Sequence, residues 1–92
     1  MPPVRVLLPR SLRMYWSGPA DVEVEAQSVE DAIREIARKD AGLAARIVDE
    51  QGALRPYVHV FVNEDAVASS ALASTRLRAG DVVHILPSVA GG

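Results

Sequence analysis

The chain has no cysteine. That excludes a disulfide framework, a thiolate nucleophile and a cysteine-ligated zinc site, and it fits a reducing, cytoplasmic setting. No apolar stretch approaches the roughly 20 residues that span a bilayer. The opening "MPPVRVLLPR" has neither the basic start nor the small-residue cleavage site of a secretory leader. Positive charge is not in excess: 10 basic residues face 12 acidic ones, for a net charge of −2, and the pI is near 5.6. Nine of the ten cations are arginine, Lys39 is the single lysine, and they are scattered without forming a basic stripe. Nucleic acid is therefore excluded as the main partner. Repeats, linkers and low-complexity stretches are absent, and 92 residues make one domain. No Ser/His/Asp set and no carboxylate pair has a spacing that suggests catalysis. His59 and His84 stand singly on strand-like runs, where plain surface histidines are far commoner than a metal pair, so no metal is expected.

What is present is a clear succession of patterns. "VRVLL" reads as a strand, interrupted by Pro9. "DVEVEA" alternates strictly, with Val22, Val24 and Ala26 on one face and acids on the other, the mark of a half-buried edge strand. The two suggest a hairpin, joined through turn signals at Ser17, Gly18 and Pro19. In that connection, Tyr15 and Trp16 read as a cover for one end of the core ahead of a partner anchor. From Ser28 to Ala41 the spacing of Val29, Ala32, Ile33, Ile36 and Ala37 predicts a helix. Ser28 is a suitable N-cap with Asp31 three residues on, and Gly42 is a suitable terminator. Leu43, Ile47 and Val48 fit a short second helix before a turn at Gln51-Gly52. Tyr57 to Val62 is a strand, followed by a turn and a short return strand near 66–68. The segment 69–77 reads as loop with one turn of helix. Val82 to Leu86 is the last strand. One amphipathic helix can cover one face of a small mixed sheet, so the order β-β-α-β-β-β predicts a two-layer α+β fold with the first and last strands parallel at its centre.

The chain closes on "AGDVVHILPSVAGG". Gly80, Asp81, Val83, Ile85, Pro87, Val89, Gly91 and Gly92 resemble the ending of the small prokaryotic sulfur carriers of the MoaD/ThiS family, and "VHVFVNEDAV" is similar to their third strand and turn, where Asn63 follows the strand. The resemblance implies a β-grasp, ubiquitin-like fold: a small mixed sheet on one main helix, residues 1–92 as a single domain, and a flexible tail over 87–92. One departure matters. The molybdopterin-synthase subunits carry a second proline where this chain has Ser88, so "ILPSVAGG" is closer to the carriers that serve cysteine synthesis.

In that family the terminal glycine is the working residue, which here implies Gly92, with Gly91, Ala90 and Val89 as the tail that delivers it. A carboxylate is a poor electrophile. An E1-like adenylating enzyme would activate it with ATP, which the partner uses and this chain does not bind. Sulfur attack on the acyl-adenylate leaves a thiocarboxylate, and a PLP-dependent sulfhydrylase or a biosynthetic synthase takes the sulfur. The adenylate must be kept from water, and glycines without side chains can thread a narrow channel. From Leu86 to Gly92 the chain extends roughly 20 Å at about 3.4 Å per residue. The domain is expected to be a monomer alone and a protein co-substrate instead of an enzyme. The alternatives are the small subunit of molybdopterin synthase, a modifier joined to lysines, and a frayed tail with no function. Alternation also predicts a partner surface. With Val4, Val6, Leu8, Val58, Val60, Val62, Val83 and Ile85 facing the helix, the opposite sheet face carries Leu7, Tyr57, His59, Phe61, Val82, His84 and Leu86. Of these, Leu7, Phe61, His84 and Leu86 form the apolar interface beside the tail.

Overall fold

The computed structural model describes residues 1–13, 16 and 18–87. Its first strand, β1 (Pro3–Leu7), buries Val4 and Val6 and leaves Arg5 outward. Strand β2 (Asp21–Glu25) pairs with it antiparallel, Val24 opposite Val4 and Val22 opposite Val6, so the buried valines of both strands share one face. The predicted hairpin is present, and its connection holds an element that no periodicity announced: a one-turn helix, α1 (Arg10–Arg13). Four residues are too few for a hydrophobic repeat to register. The turn is held by the Pro9 carbonyl, which accepts from the N–H groups of both Leu12 and Arg13, and by burial of Leu12.

The main helix, α2 (Val29–Lys39), starts where expected: the Ser28 Oγ accepts from the Asp31 N–H at 3.2 Å. The Asp31 carboxylate turns outward to Arg34, 3.6 Å away. The end of the helix corrects the sequence reading. It stops at Lys39, two residues before Ala41, and Gly42 does not terminate it. Asp40 does. Its backbone is extended, its N–H caps α2 by bonding the Ile36 carbonyl, and its Oδ1 accepts from the Leu43 N–H at 3.0 Å to open the next helix, α3 (Ala41–Ile47). An aspartate offers the backbone a side-chain acceptor that competes with continuing the helix, and here it caps two helices at once. Gly42 lies inside α3, which is the short second helix expected from Leu43 and Ile47; both are buried.

Strand β3 (Val58–Val62) turns through Asn63 and Glu64 into β4 (Asp65–Val67), one residue earlier than expected; a 3-10 turn (Ser69–Ala71) follows in the segment read as loop. The last strand, β5 (Val82–Pro87), runs one residue past Leu86, with Pro87 opposite Val58. Pro87 therefore ends the ladder from within its last pair, where its missing N–H costs nothing further along. The strand order is β2-β1-β5-β3-β4, with β1 and β5 parallel at the centre and the other neighbours antiparallel. This is the mixed sheet of a β-grasp fold, and β2 is the predicted edge.

One continuous core lies between the sheet and the helices. Val4, Val6, Val22, Val24, Val58, Val60, Val83 and Ile85 from the strands meet Val29, Ala32, Ile33 and Ile36 of α2 and Leu43 and Ile47 of α3. Val62, predicted to face inward, is half-buried against this cluster. Burial of an aliphatic side chain stabilises by roughly 1.5–3 kcal/mol, so this layer is the main source of stability. No helix of the described residues is long and apolar enough to cross a membrane.

Candidate functional site

The site is built around β5, because that strand carries the chain to its terminal segment. Its start is fixed by a hydrogen-bonded corner made from the residues on which the family resemblance rested. Gly80 has φ of +89°, a conformation that favours glycine, and its N–H bonds the Pro3 carbonyl at 2.9 Å. The Asp81 carbonyl accepts from the Arg5 N–H at 3.0 Å. The Asp81 carboxylate accepts from the Arg78 N–H at 2.9 Å and from Asn63 Nδ2 at 3.2 Å. Asn63, itself at φ +55°, gives its N–H to the Val82 carbonyl at 2.8 Å and takes the Val82 N–H on Oδ1 at 3.1 Å. The "Gly-Asp" pair and the asparagine are thus one clamp that sets the register of β5 between β1 and β3. They act at the end of the strand opposite the tail.

From that anchor, β5 alternates as predicted. Val83 and Ile85 are fully buried, while Val82, His84 and Leu86 are turned to the open face. Register brings the predicted interface together. Leu7 of β1 lies beside His84, and His84 lies opposite Phe61 of β3, so the three stand in one row across the central strands. Leu86 stands one step toward the tail, opposite His59. Leu7, His84 and Phe61 are half-buried; Leu86 is 42% exposed and Tyr57 45% exposed. The face borders on charge at β2, where the Arg5 guanidinium pairs with the Asp21 carboxylate.

The two histidines occupy this face on adjacent strands, one register step apart. Among the described residues no group of three or more His, Cys, Asp or Glu side chains is placed to hold a metal ion. Trp16 belongs to the core, as the sequence favoured: it packs partly buried against the hydrophobic cluster, and its Nε1 donates to the Pro19 carbonyl at 2.7 Å. A β-carbon on Gly18 would overlap the indole ring, so that glycine is needed for close approach. Tyr15 lies outside the described residues, as do Ser88 and the tail residues Val89, Ala90, Gly91 and Gly92.

What the sequence reading missed is the structural role of Asp81 and Asn63. The signal was available: a Gly-Asp pair before a strand and an Asn after one are turn-forming residues whose side chains bond nearby backbone. Their meeting across 18 residues follows only from the topology.

Comparison with known proteins agrees with this architecture. Residues 11–92 match the ThiS family. Sulfur carrier protein CysO of Mycobacterium tuberculosis is 32% identical over 91 residues, covering 97% of this chain and 98% of that protein. Small archaeal modifier protein 3 of Haloferax volcanii is 34% identical over 79 residues, covering 86% of this chain and 79% of that one. Among solved structures, a chain of the BexX/CysO complex of Amycolatopsis orientalis superposes with a TM-score of 0.83 at 35% identity, covering 97% of this chain and 99% of that chain. A β-grasp sheet in this register, a family match over most of the length and relatives alike almost end to end leave one conclusion: the chain belongs to the ThiS family of ubiquitin-like sulfur carriers.

Proposed function

We propose that this carrier holds sulfur as a thiocarboxylate on Gly92, formed by adenylation of the carboxylate in an E1-like partner and attack of a sulfur nucleophile on the adenylate. In the first step a carboxylate oxygen displaces pyrophosphate from ATP. In the second, sulfide adds to the acyl carbon and AMP leaves; where a donor persulfide adds instead, the acyl disulfide formed is cleaved by a second thiol, which becomes disulfide-bonded to the donor and frees the thiocarboxylate. The observation that carries the reading is the placement of β5: a strand locked between β1 and β3 that ends at Pro87, beside an exposed apolar face, with five residues left to reach Gly92. Those five residues extend about 17 Å at roughly 3.4 Å each, enough to enter a buried site while the folded domain rests on the surface outside. Gly91 and Gly92 add no side chain to the part that enters. The family match runs to Gly92, which supports the same assignment. The catalytic groups belong to the partners. This domain supplies a reactive terminus and a surface by which to be recognised.

For the sulfur acceptor, the similarity to CysO favours a PLP-dependent sulfhydrylase in cysteine synthesis over the large subunit of molybdopterin synthase. The BexX/CysO complex is a precedent for a carrier of this fold forming a complex with another protein. Small archaeal modifier protein 3 supports a second reading, attachment of Gly92 to lysines of other proteins, whose sign would be an isopeptide-linked ladder in cells. The test of the main reading is intact mass after incubation with the adenylating enzyme, ATP and a sulfur donor. The expected result is a gain equal to replacing one oxygen by sulfur, located on the C-terminal peptide. ATP consumption without that gain would refute it.

A further inference from the structure

On the face that leads to the tail the acidic residues are confined to the β2 edge, where Asp21 stands opposite Leu7 and is paired with Arg5, and Glu23 stands opposite Arg5. Inside that edge lie three segments: 6–13, comprising the end of β1 and α1; 53–63, comprising β3 and its approach; and 82–87, which is β5. They contain three arginines, two histidines and none of the chain's 12 acidic residues. The other seven basic residues and all 12 acids lie elsewhere, so +3 on these segments stands against −5 on the remainder. In sequence the cations look scattered. The order β1-β5-β3 at the centre of the sheet sets the strands of these acid-free segments side by side.

Two of the three arginines are placed to be read by a partner. Parallel pairing sets Leu7 beside His84, so α1 begins just past the end of β1, at the pole where β5 releases the tail. Arg10 and Arg13 are exposed on that one-turn helix. Among the described residues neither has an acidic partner, whereas Arg5, Arg34 and Arg38 each do. The third, Arg55, is engaged by the Ala45 carbonyl at 2.7 Å and serves the fold.

We infer that Arg10 and Arg13 are the charged rim of the docking face and take an acidic surface on the adenylating partner, beside the apolar contact made by Leu7, His84, Phe61 and Leu86. The inference rests on the adenylation reading above. Physically, a cationic rim on a protein of net negative charge orients the approach: the partner's acidic patch attracts one pole and repels the rest. Rim charges of this kind act on association and its salt dependence more than on the bound chemistry, and they fade beyond a Debye length, about 10 Å at 0.1 M salt.

The experiment compares R10E/R13E with K39E/R76E, which changes net charge equally but outside the acid-free segments. The probe is the E1-like adenylating enzyme of the same organism, identified by carrier-dependent ATP–pyrophosphate exchange, and circular dichroism checks that both variants fold. At about 0.05 M salt, R10E/R13E should raise the KM for carrier roughly tenfold or more, with kcat at saturation unchanged. K39E/R76E should stay within about twofold of the parent. At about 0.5 M salt the difference should shrink toward the parent. Equal KM for the two variants, or a rise that salt leaves untouched, would overturn the rim while leaving adenylation intact. If no enzyme fraction supports exchange with the parent carrier, the adenylation reading fails first and the rim assigned to that partner falls with it.

Discussion

Replacing Asn63 separates two physical costs that the structure superimposes at one residue. The side chain bonds the Val82 N–H and the Asp81 carboxylate, at 3.1 and 3.2 Å, and the backbone sits at φ +55°. Asn63→Gly removes both side-chain bonds but tolerates the positive φ. At about 0.5–1.5 kcal/mol net per bond, discounted because the corner is solvent-accessible, the expected loss is about 1–2 kcal/mol. Asn63→Ala removes the same bonds and also forces an alanine into the left-handed region, at a further cost of about 1 kcal/mol. The order should therefore be parent, then Gly, then Ala, with the alanine variant down by about 2–3 kcal/mol. Urea unfolding followed by circular dichroism measures this directly, with an unchanged m-value as the check that only stability moved. Asp81→Ala in the Asn63→Gly background should cost less than in the parent, since one bond is shared. If the glycine and alanine variants are equally stable, the left-handed backbone at Asn63 contributes nothing and the clamp is misdescribed. If neither differs from the parent, the corner does not hold β5.

Asp40→Ala should destabilise by about 0.5–2 kcal/mol in the same assay, because one side chain starts α3 at the residue that ends α2; no loss would mean the break between the helices is set by packing alone. Phe61→Asp and Leu86→Asp should leave the melting temperature within a few degrees of the parent while weakening binding to the adenylating enzyme, measured by calorimetry. Unfolding by the Leu86 change would contradict its assignment to the open face.

Much of the fold was legible because its signals are local. The alternation of "DVEVEA" placed Val22 and Val24 in the core, and the spacing of Val29, Ala32, Ile33 and Ile36 gave the buried stripe of α2. The strand faces followed from period-2 alternation alone, and Leu7, Phe61, His84 and Leu86 come together as that alternation required. The end of α2 was misplaced because two stop signals lie two residues apart. Gly42 looked the stronger, yet the Asp40 side chain gains a backbone donor by breaking the helix first. The one-turn helix at Arg10 was not legible, since a single turn has no period. The acid-free centre of the open face was hidden for a different reason: it is a property of three segments separated by 39 and 18 residues, each unremarkable alone, whose strands only the order β1-β5-β3 makes neighbours.

The central claim is that Gly92 bears the sulfur. Deleting it retracts the carboxylate by about 3.4 Å, and a misplacement near 1 Å already costs about a hundredfold in rate. The decisive measurement is ATP-dependent thiocarboxylate formation, followed by intact mass over time, on the parent and on the chain lacking Gly92, with equal melting temperatures as the control for folding. The account predicts that the parent gains sulfur and the shortened chain stays unmodified over the same period. Charging of the shortened chain at the parent's rate would contradict it.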